Sequence, residues 1–284
     1  MSSNFWSAPN NSPTDGMPPL QKLAINSANG YAMCHGNKRS LLTMQFADVG
    51  ILVQITPLGE GDVVARLFTR EHGLHAGLIK GGDSRRYRGV LEIGGRYDVT
   101  WQARLADNLG TFSLEPVGPL PSVRVLDDPN RLLGLQALSQ VLATSLTERD
   151  PVMPLYDAVE TWLDQLTEEM WVHTLALVEL RLLGILGFGL DLSRCASTGS
   201  NLDLRYVSPR SGRAVSGDAG APYHERLLTL PRYLIGESAE NFDQDAIDAL
   251  VLTGRFLTDR VYAAQNQDLP WSRKALMDRL ESSP

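Results

Sequence analysis

Four cationic side chains fall within the run Lys80-Gly-Gly-Asp-Ser-Arg-Arg-Tyr-Arg88, against the single carboxylate of Asp83. The chemistry this favours is the holding of phosphate. Arg85, Arg86 and Arg88 offer planar forks that match phosphate oxygens, Lys80 adds a point charge, and Tyr87 offers a ring on which a base can stack. Gly81 and Gly82 are expected to leave the backbone free to swing. The competing reading is an ordinary solvated loop, which is what most charge runs are.

Two further cations extend the candidate site. Val99, Trp101, Ala103 and Leu105 alternate with Thr100, Gln102 and Arg104, so a strand there buries the first set and shows the second. If that outer face adjoins the loop, Arg66, Arg104 and the loop cations form one groove along a phosphate backbone. Trp101 is expected in the core.

The elements that must position these residues are short strands. Val49–Thr56, Asp62–Arg70 and Leu74–Lys80 are apolar or alternating runs separated by the turn-formers Pro57 to Gly61 and Glu71 to Gly73, which predicts an antiparallel meander. The alternating run at Val99 and a short run Phe112–Glu115 add two more strands, and closing such a sheet hides its edges. Prolines 116, 119 and 121 end it.

From Asp127 or Asp128 onward the apolar period is helical, with Pro129 at a first helical position. Further helices are expected over Pro154–Met170, Trp171–Leu186, Pro222–Leu234 with a break at Pro231, Asp245–Ala264, and from Pro270 to near the end. Asp191 to Gly220 is dense in Ser, Thr, Gly, Asp and Pro and reads as a loop-rich insertion with one strand near Leu202–Val207. Residues 1–43 lack an apolar period and read as a disordered tail, or as sequence upstream of a true start at Met44.

Composition narrows the function classes. The net charge is -7, but residues 44–120 carry 8 Lys and Arg against 9 Asp and Glu, whereas residues 121–284 carry 15 against 23. Any nucleic acid should therefore favour the N-terminal half. Two cysteines, Cys34 and Cys195, make no disulfide framework and fit a reducing cytoplasm. No signal peptide and no membrane span are expected.

Catalytic signatures are missing: the chain has no phosphate-binding P-loop, no nucleophile elbow and no HExxH metal motif. No enzymatic activity, cofactor or metal is expected. His72 and His75 flank a turn and begin a strand, an arrangement poor for metal, and Cys195 has no companion ligands for a zinc tetrahedron.

Three stretches give the chain a resemblance to a known family. They are Asp48-Val-Gly-Ile-Leu-Val53, then Gly61-Asp-Val-Val-Ala-Arg-Leu-Phe-Thr69 followed by Gly73 and Lys80-Gly-Gly82, and Glu179-Leu-Arg-Leu-Leu-Gly-Ile-Leu-Gly-Phe-Gly-Leu-Asp191 ahead of Cys195. In that order and spacing the chain resembles the RecO family of bacterial recombination mediators. The resemblance implies an α+β protein: a five-stranded OB-fold barrel over residues 44–120, then an all-α helical domain over 121–284 with a zinc-ribbon-like but cysteine-poor insertion at 191–221.

It also implies a cytoplasmic, nucleoid-associated DNA-repair protein that binds single-stranded and partly duplex DNA, anneals complementary strands and, with RecR, loads RecA onto DNA coated by single-strand-binding protein. The DNA residues it implies are those of the basic region, Lys80 to Arg88. The helical domain of the family takes the acidic tail of single-strand-binding protein, and Arg131 and Arg181 are the candidate cations for it. Two other readings are an RNA-binding barrel and a helical adaptor that touches only proteins.

Overall fold

A computed structural model describes residues 44–282 except 86, 88, 106, 107, 239 and 240. The expectations for residues 1–43, for Arg86 and for Arg88 lie outside the described residues.

Five strands, β1 (Met44–Leu58), β2 (Asp62–Thr69), β3 (Gly73–Ile79), β4 (Arg96–Ala103) and β5 (Gly110–Pro116), close a barrel in the order β1-β2-β3-β5-β4. The first three form the antiparallel meander that the turn residues dictate, and β5 completes the ring by pairing antiparallel to β4 and parallel to β3 at Gly77 and Leu78. Closure leaves the barrel interior to Leu52, Leu67, Ile79, Tyr97, Val99 and Trp101, all buried. Trp101 donates from its indole to the Ala76 carbonyl at 3.2 Å, which satisfies its polar atom inside the core. Leu105, expected inward, is 66% exposed because β4 ends at Ala103 and the alternation ends with it.

Part of the barrel's outer face is covered, while Asp98 and Gln102 of β4 and Ser113 of β5 remain exposed. Ile51, Val53, Phe68 and Leu74 are buried in a second core shared with helices α2 (Pro129–Ser145), α3 (Met153–Asp164) and α4 (Trp171–Ile185); a single turn, α1 (Pro121–Arg124), precedes them. Phe68 meets Tyr156 with ring centroids 5.5 Å apart. Strands apolar on both faces must be covered on both, and here one side is the barrel interior and the other is helix. Barrel and helices form one compact unit.

Helix α2 begins as its sequence demands. Asp128 accepts from the backbone N–H groups of Asn130 and Arg131 at 3.0 and 3.1 Å, and Pro129 sits where no N–H is needed. After α4, the insertion supplies β6 (Leu204–Val207), β7 (Ala214–Ser216) and the short turn α5 (Gly217–Gly220), and β8 (Leu228–Thr229), which follows it, completes a three-stranded sheet in the order β7-β6-β8.

The stretch Pro222–Leu234, expected as helix, is instead 3-10 turn, strand β8 and a second 3-10 turn at Arg232–Ile235. Pro222 and Pro231 interrupt helical hydrogen bonding, and pairing of Leu228 and Thr229 with β6 satisfies the backbone between them. Helix α6 (Phe242–Phe256) runs on as a π-helical segment over Leu257–Tyr262, and α7 (Trp271–Glu281) starts just after Pro270. Among the described residues no helix is long and apolar enough to cross a membrane.

Candidate nucleic-acid interface

The basic loop is held at one end of the barrel by its glycines. Gly81, at φ +64°, donates its backbone N–H to the Asp62 carboxylate at 2.7 Å, and the Asp83 backbone N–H donates to the Gly61 carbonyl at 3.1 Å. A Cβ on Gly82 would stand 2.4 Å from a Val63 methyl. The free swing expected of Gly81 and Gly82 is thus corrected: they permit a tight, anchored turn, because one needs a left-handed backbone and the other a close approach. Successive turns follow, with Ser84 donating to Gly81 and Tyr87 to Ser84.

Of the loop residues expected to meet phosphate, Lys80 and Arg85 are exposed. Tyr87 is half-buried against the inner barrel core beside Val90, Leu91 and Ile93, so much of its ring is committed to packing. Behind it, Tyr97 donates to the Val90 carbonyl at 2.5 Å and accepts from the Glu92 N–H at 3.0 Å, and burial pushes its phenol up to about 12. That hydrogen-bonded tyrosine fixes the return of the loop into β4.

The expected groove joining Arg66, Arg104 and the loop is not what the structure brings together. Arg66 sits on the helix-covered face, where it donates to the Ala143 carbonyl at 2.7 Å and pairs with Glu148 at 2.8 Å. Arg70 pairs with Asp157 at 3.1 Å and Arg96 with Asp164 at 2.7 Å. The cause is the shared core, which brings carboxylates of the helical region against Arg66, Arg70 and Arg96. Arg104 is exposed and follows the Ala103–Met44 pair, at the β4–β5 turn. Lys80 lies beyond Ile79, which pairs with Val63. Among the described residues Lys80, Arg85 and Arg104 make no ion pair, so the barrel's uncommitted positive charge lies at the basic loop and at the β4–β5 turn.

Arg131 and Arg181 are likewise separated. Arg131 bonds the Asp128 carboxylate at 2.8 Å and the Glu168 carbonyl at 3.0 Å, donates to the Leu166 carbonyl, and lies 5.7 Å from the Trp171 ring centroid. Arg181 is exposed and donates to the Pro154 carbonyl at 2.9 Å. Pro154 and Leu166 flank opposite ends of α3, a separation of about 18 Å at helical rise. The two arginines therefore do not form one anion cradle, and Arg131 is occupied in fixing the start of α2 to the α3–α4 turn.

Cys195 Sγ is buried and accepts from the backbone N–H and hydroxyl of Ser216 at 3.3 and 3.4 Å. Burial pushes the thiol up, but the donors of Ser216 and Thr198 together outweigh it and bring it to about 6. Among the described residues no group of three or more His, Cys, Asp or Glu is placed to hold a metal.

One constellation escaped sequence reading. Asp48, its side chain only 3% exposed, accepts from the backbone N–H groups of Glu71 and His72 and from the His72 ring. The signal that could have found it is an aspartate in the otherwise apolar run from Phe46 to Val53, a residue that needs donors once buried.

Comparison with known proteins places the chain plainly. Residues 44–119 match the family model described as Recombination protein O N terminal, and residues 126–267 match Recombination protein O C terminal. The DNA repair protein RecO of Rhodospirillum centenum is 42% identical over 238 residues, covering 83% of this chain and 94% of the relative. That of Ruegeria sp. is 42% identical over 239 residues, covering 84% and 98%, and that of Rhodospirillum rubrum 41% over 244 residues, covering 84% and 96%.

Proposed function

The chain belongs to the recombination protein O family and serves in DNA repair, and on that premise we propose that it binds single-stranded DNA and anneals complementary strands by charge neutralisation alone. No covalent chemistry is needed for this. The observation that carries the reading is the division of cations on the barrel: Arg66, Arg70 and Arg96 are paired with carboxylates, while Lys80 and Arg85 stand exposed on an anchored loop. Phosphates of a flexible strand meet that loop without breaking an existing ion pair.

An exposed Arg181 on the acidic helical region supports docking of the acidic tail of single-strand-binding protein, which tethers the barrel to coated DNA and raises its effective concentration there. With RecR as a partner, the bound strand would then be handed to RecA.

The test mixes two complementary oligonucleotides, each coated with the cognate single-strand-binding protein, and follows duplex formation over a salt series. Acceleration that fades as salt rises is the expected result. No acceleration with coated or naked strands overturns the annealing reading, and equal or better action on RNA strands redirects it to RNA.

A further inference from the structure

Three rings stack in series at the end of the barrel away from the basic loop. Phe46 of β1 lies against Trp101, its cross-strand partner on β4, at 5.4 Å between centroids and 20° between planes. On Phe46 lies His72 of the β2–β3 turn, at 4.0 Å and 8°. His75 closes the side of the stack edge-on to Phe46 and Trp101, at 4.9 and 5.6 Å. The order runs from the buried indole, bonded to Ala76, outward to an imidazole whose side chain is 34% exposed.

The outermost ring is fixed in place. Asp48 holds its Nδ1 at 2.8 Å and also takes the backbone N–H groups of residues 71 and 72, so the turn cannot tilt the ring without giving up three hydrogen bonds. Gly73 presses the same turn onto the backbone of Asp150, where a Cβ would stand 2.2 Å from the carbonyl oxygen. Among the described residues His72 makes two ring contacts, stacked on Phe46 and edge-on to His75 at 6.3 Å and 81°.

A fixed, half-exposed aromatic ring ending a stack is the arrangement on which one more flat ring adds at little entropic loss. The surroundings fit an unpaired base: at the same end lie exposed Arg104 and the exposed apolar side chains of Met44, Leu105 and Leu109. Burial and the nearby Arg149 guanidinium hold His75 below its usual range, so the side wall is an uncharged ring at neutral pH.

We propose that His72 is a stacking seat for a single unpaired nucleobase, the fourth ring of the series Trp101, Phe46, His72. The inference rests on the reading that the protein binds single strands, and adds a place where a base rather than a phosphate is held. The seat and Lys80 lie at opposite ends of β3, roughly 25 Å apart at strand rise. One strand reaching both spans several nucleotides, within the about 4–16 that a barrel of this kind covers.

The test uses the full chain and oligonucleotides carrying one 2-aminopurine, moved position by position, with binding read by anisotropy and stacking by quenching. Wild type is expected to quench at a preferred position; His72→Ala should lose that quench and bind on the order of tenfold more weakly, while His72→Tyr keeps both. Independently of any variant, wild type should bind an abasic oligonucleotide more weakly than its base-bearing counterpart. If His72→Ala binds and quenches like wild type, or the abasic strand binds equally well, the seat is overturned and the single-strand reading stands. If wild type binds no strand even at low salt, both fall together.

Discussion

Arg273 and Glu179 meet as a two-point ion pair with neither side chain exposed: Nε donates to Oε1 at 2.6 Å and Nη2 to Oε2 at 3.0 Å. The pair joins α7 to α4, and Arg273 also donates to the Leu250 carbonyl of α6 at 2.7 Å. Removing one partner leaves a charge stranded in the core. Glu179→Leu or Arg273→Met should each cost about 3–5 kcal/mol, read as a lowered urea midpoint. The double replacement by these apolar residues should cost less than the two single losses added, because no unpaired charge remains.

Cations on the barrel divide into two groups that mutation should separate. Replacing Lys80 and Arg85 by Ala should weaken single-strand binding uniformly across sequences and lower the salt slope by about 0.7 for each phosphate no longer neutralised, with the melting temperature unchanged. Arg66→Ala should do the reverse, lowering stability by about 1–2 kcal/mol while leaving the salt slope as it was. An unchanged slope in the first variant removes Lys80 and Arg85 from the interface.

The same division applies to the helical region. Arg131→Ala unties the hydrogen bonds to Asp128, Leu166 and Glu168 and should destabilise the fold. Arg181→Ala, which gives up one hydrogen bond to a carbonyl, should leave the fold intact and weaken binding of an acidic peptide ending in apolar residues. Titrating such a labelled peptide into both variants checks this, and equal affinity for wild type and Arg181→Ala rules Arg181 out.

Two buried histidines set the response to acid. Burial holds His75 and His173 below the ordinary 6.5, and His173 lies against Phe242 with its Nε2 3.0 Å from the Phe242 carbonyl. The unfolded chain then takes up protons as the pH falls below about 6.5 while the folded chain does not. Their contribution is present above that value and is lost progressively as the pH drops towards the depressed folded values. Urea midpoints measured from pH 8 to 5 should fall below about 6.5, and the fall should be shallower in His173→Phe.

The strands were legible where one face alternates. Val99, Trp101 and Ala103 fall inward as their spacing requires, and Asp128 with Pro129 marks the start of α2 in a few letters. What escaped depends on residues distant in the chain. Alternation puts Arg66 on the outer face of β2, but no local rule says that Glu148 waits there, so a structural ion pair read as a phosphate contact. Nor does any local rule say that Arg273 of α7 meets Glu179 of α4. Pro222–Leu234 misled because its apolar content suits a helix equally well as a short strand flanked by prolines, and only β6 decides between them.

The core that Phe68 and Leu74 share with α2 and α3 also fixes an order of events during synthesis. The barrel strands leave the ribosome with one greasy side bare, and the residues that cover it, such as Tyr156, are made much later. At about 5–20 residues per second the gap is on the order of ten seconds, long enough for chaperones to engage. The nascent N-terminal half should therefore be the part of this protein most prone to aggregate, and fragments cut after the barrel should be insoluble even though their strands are all present.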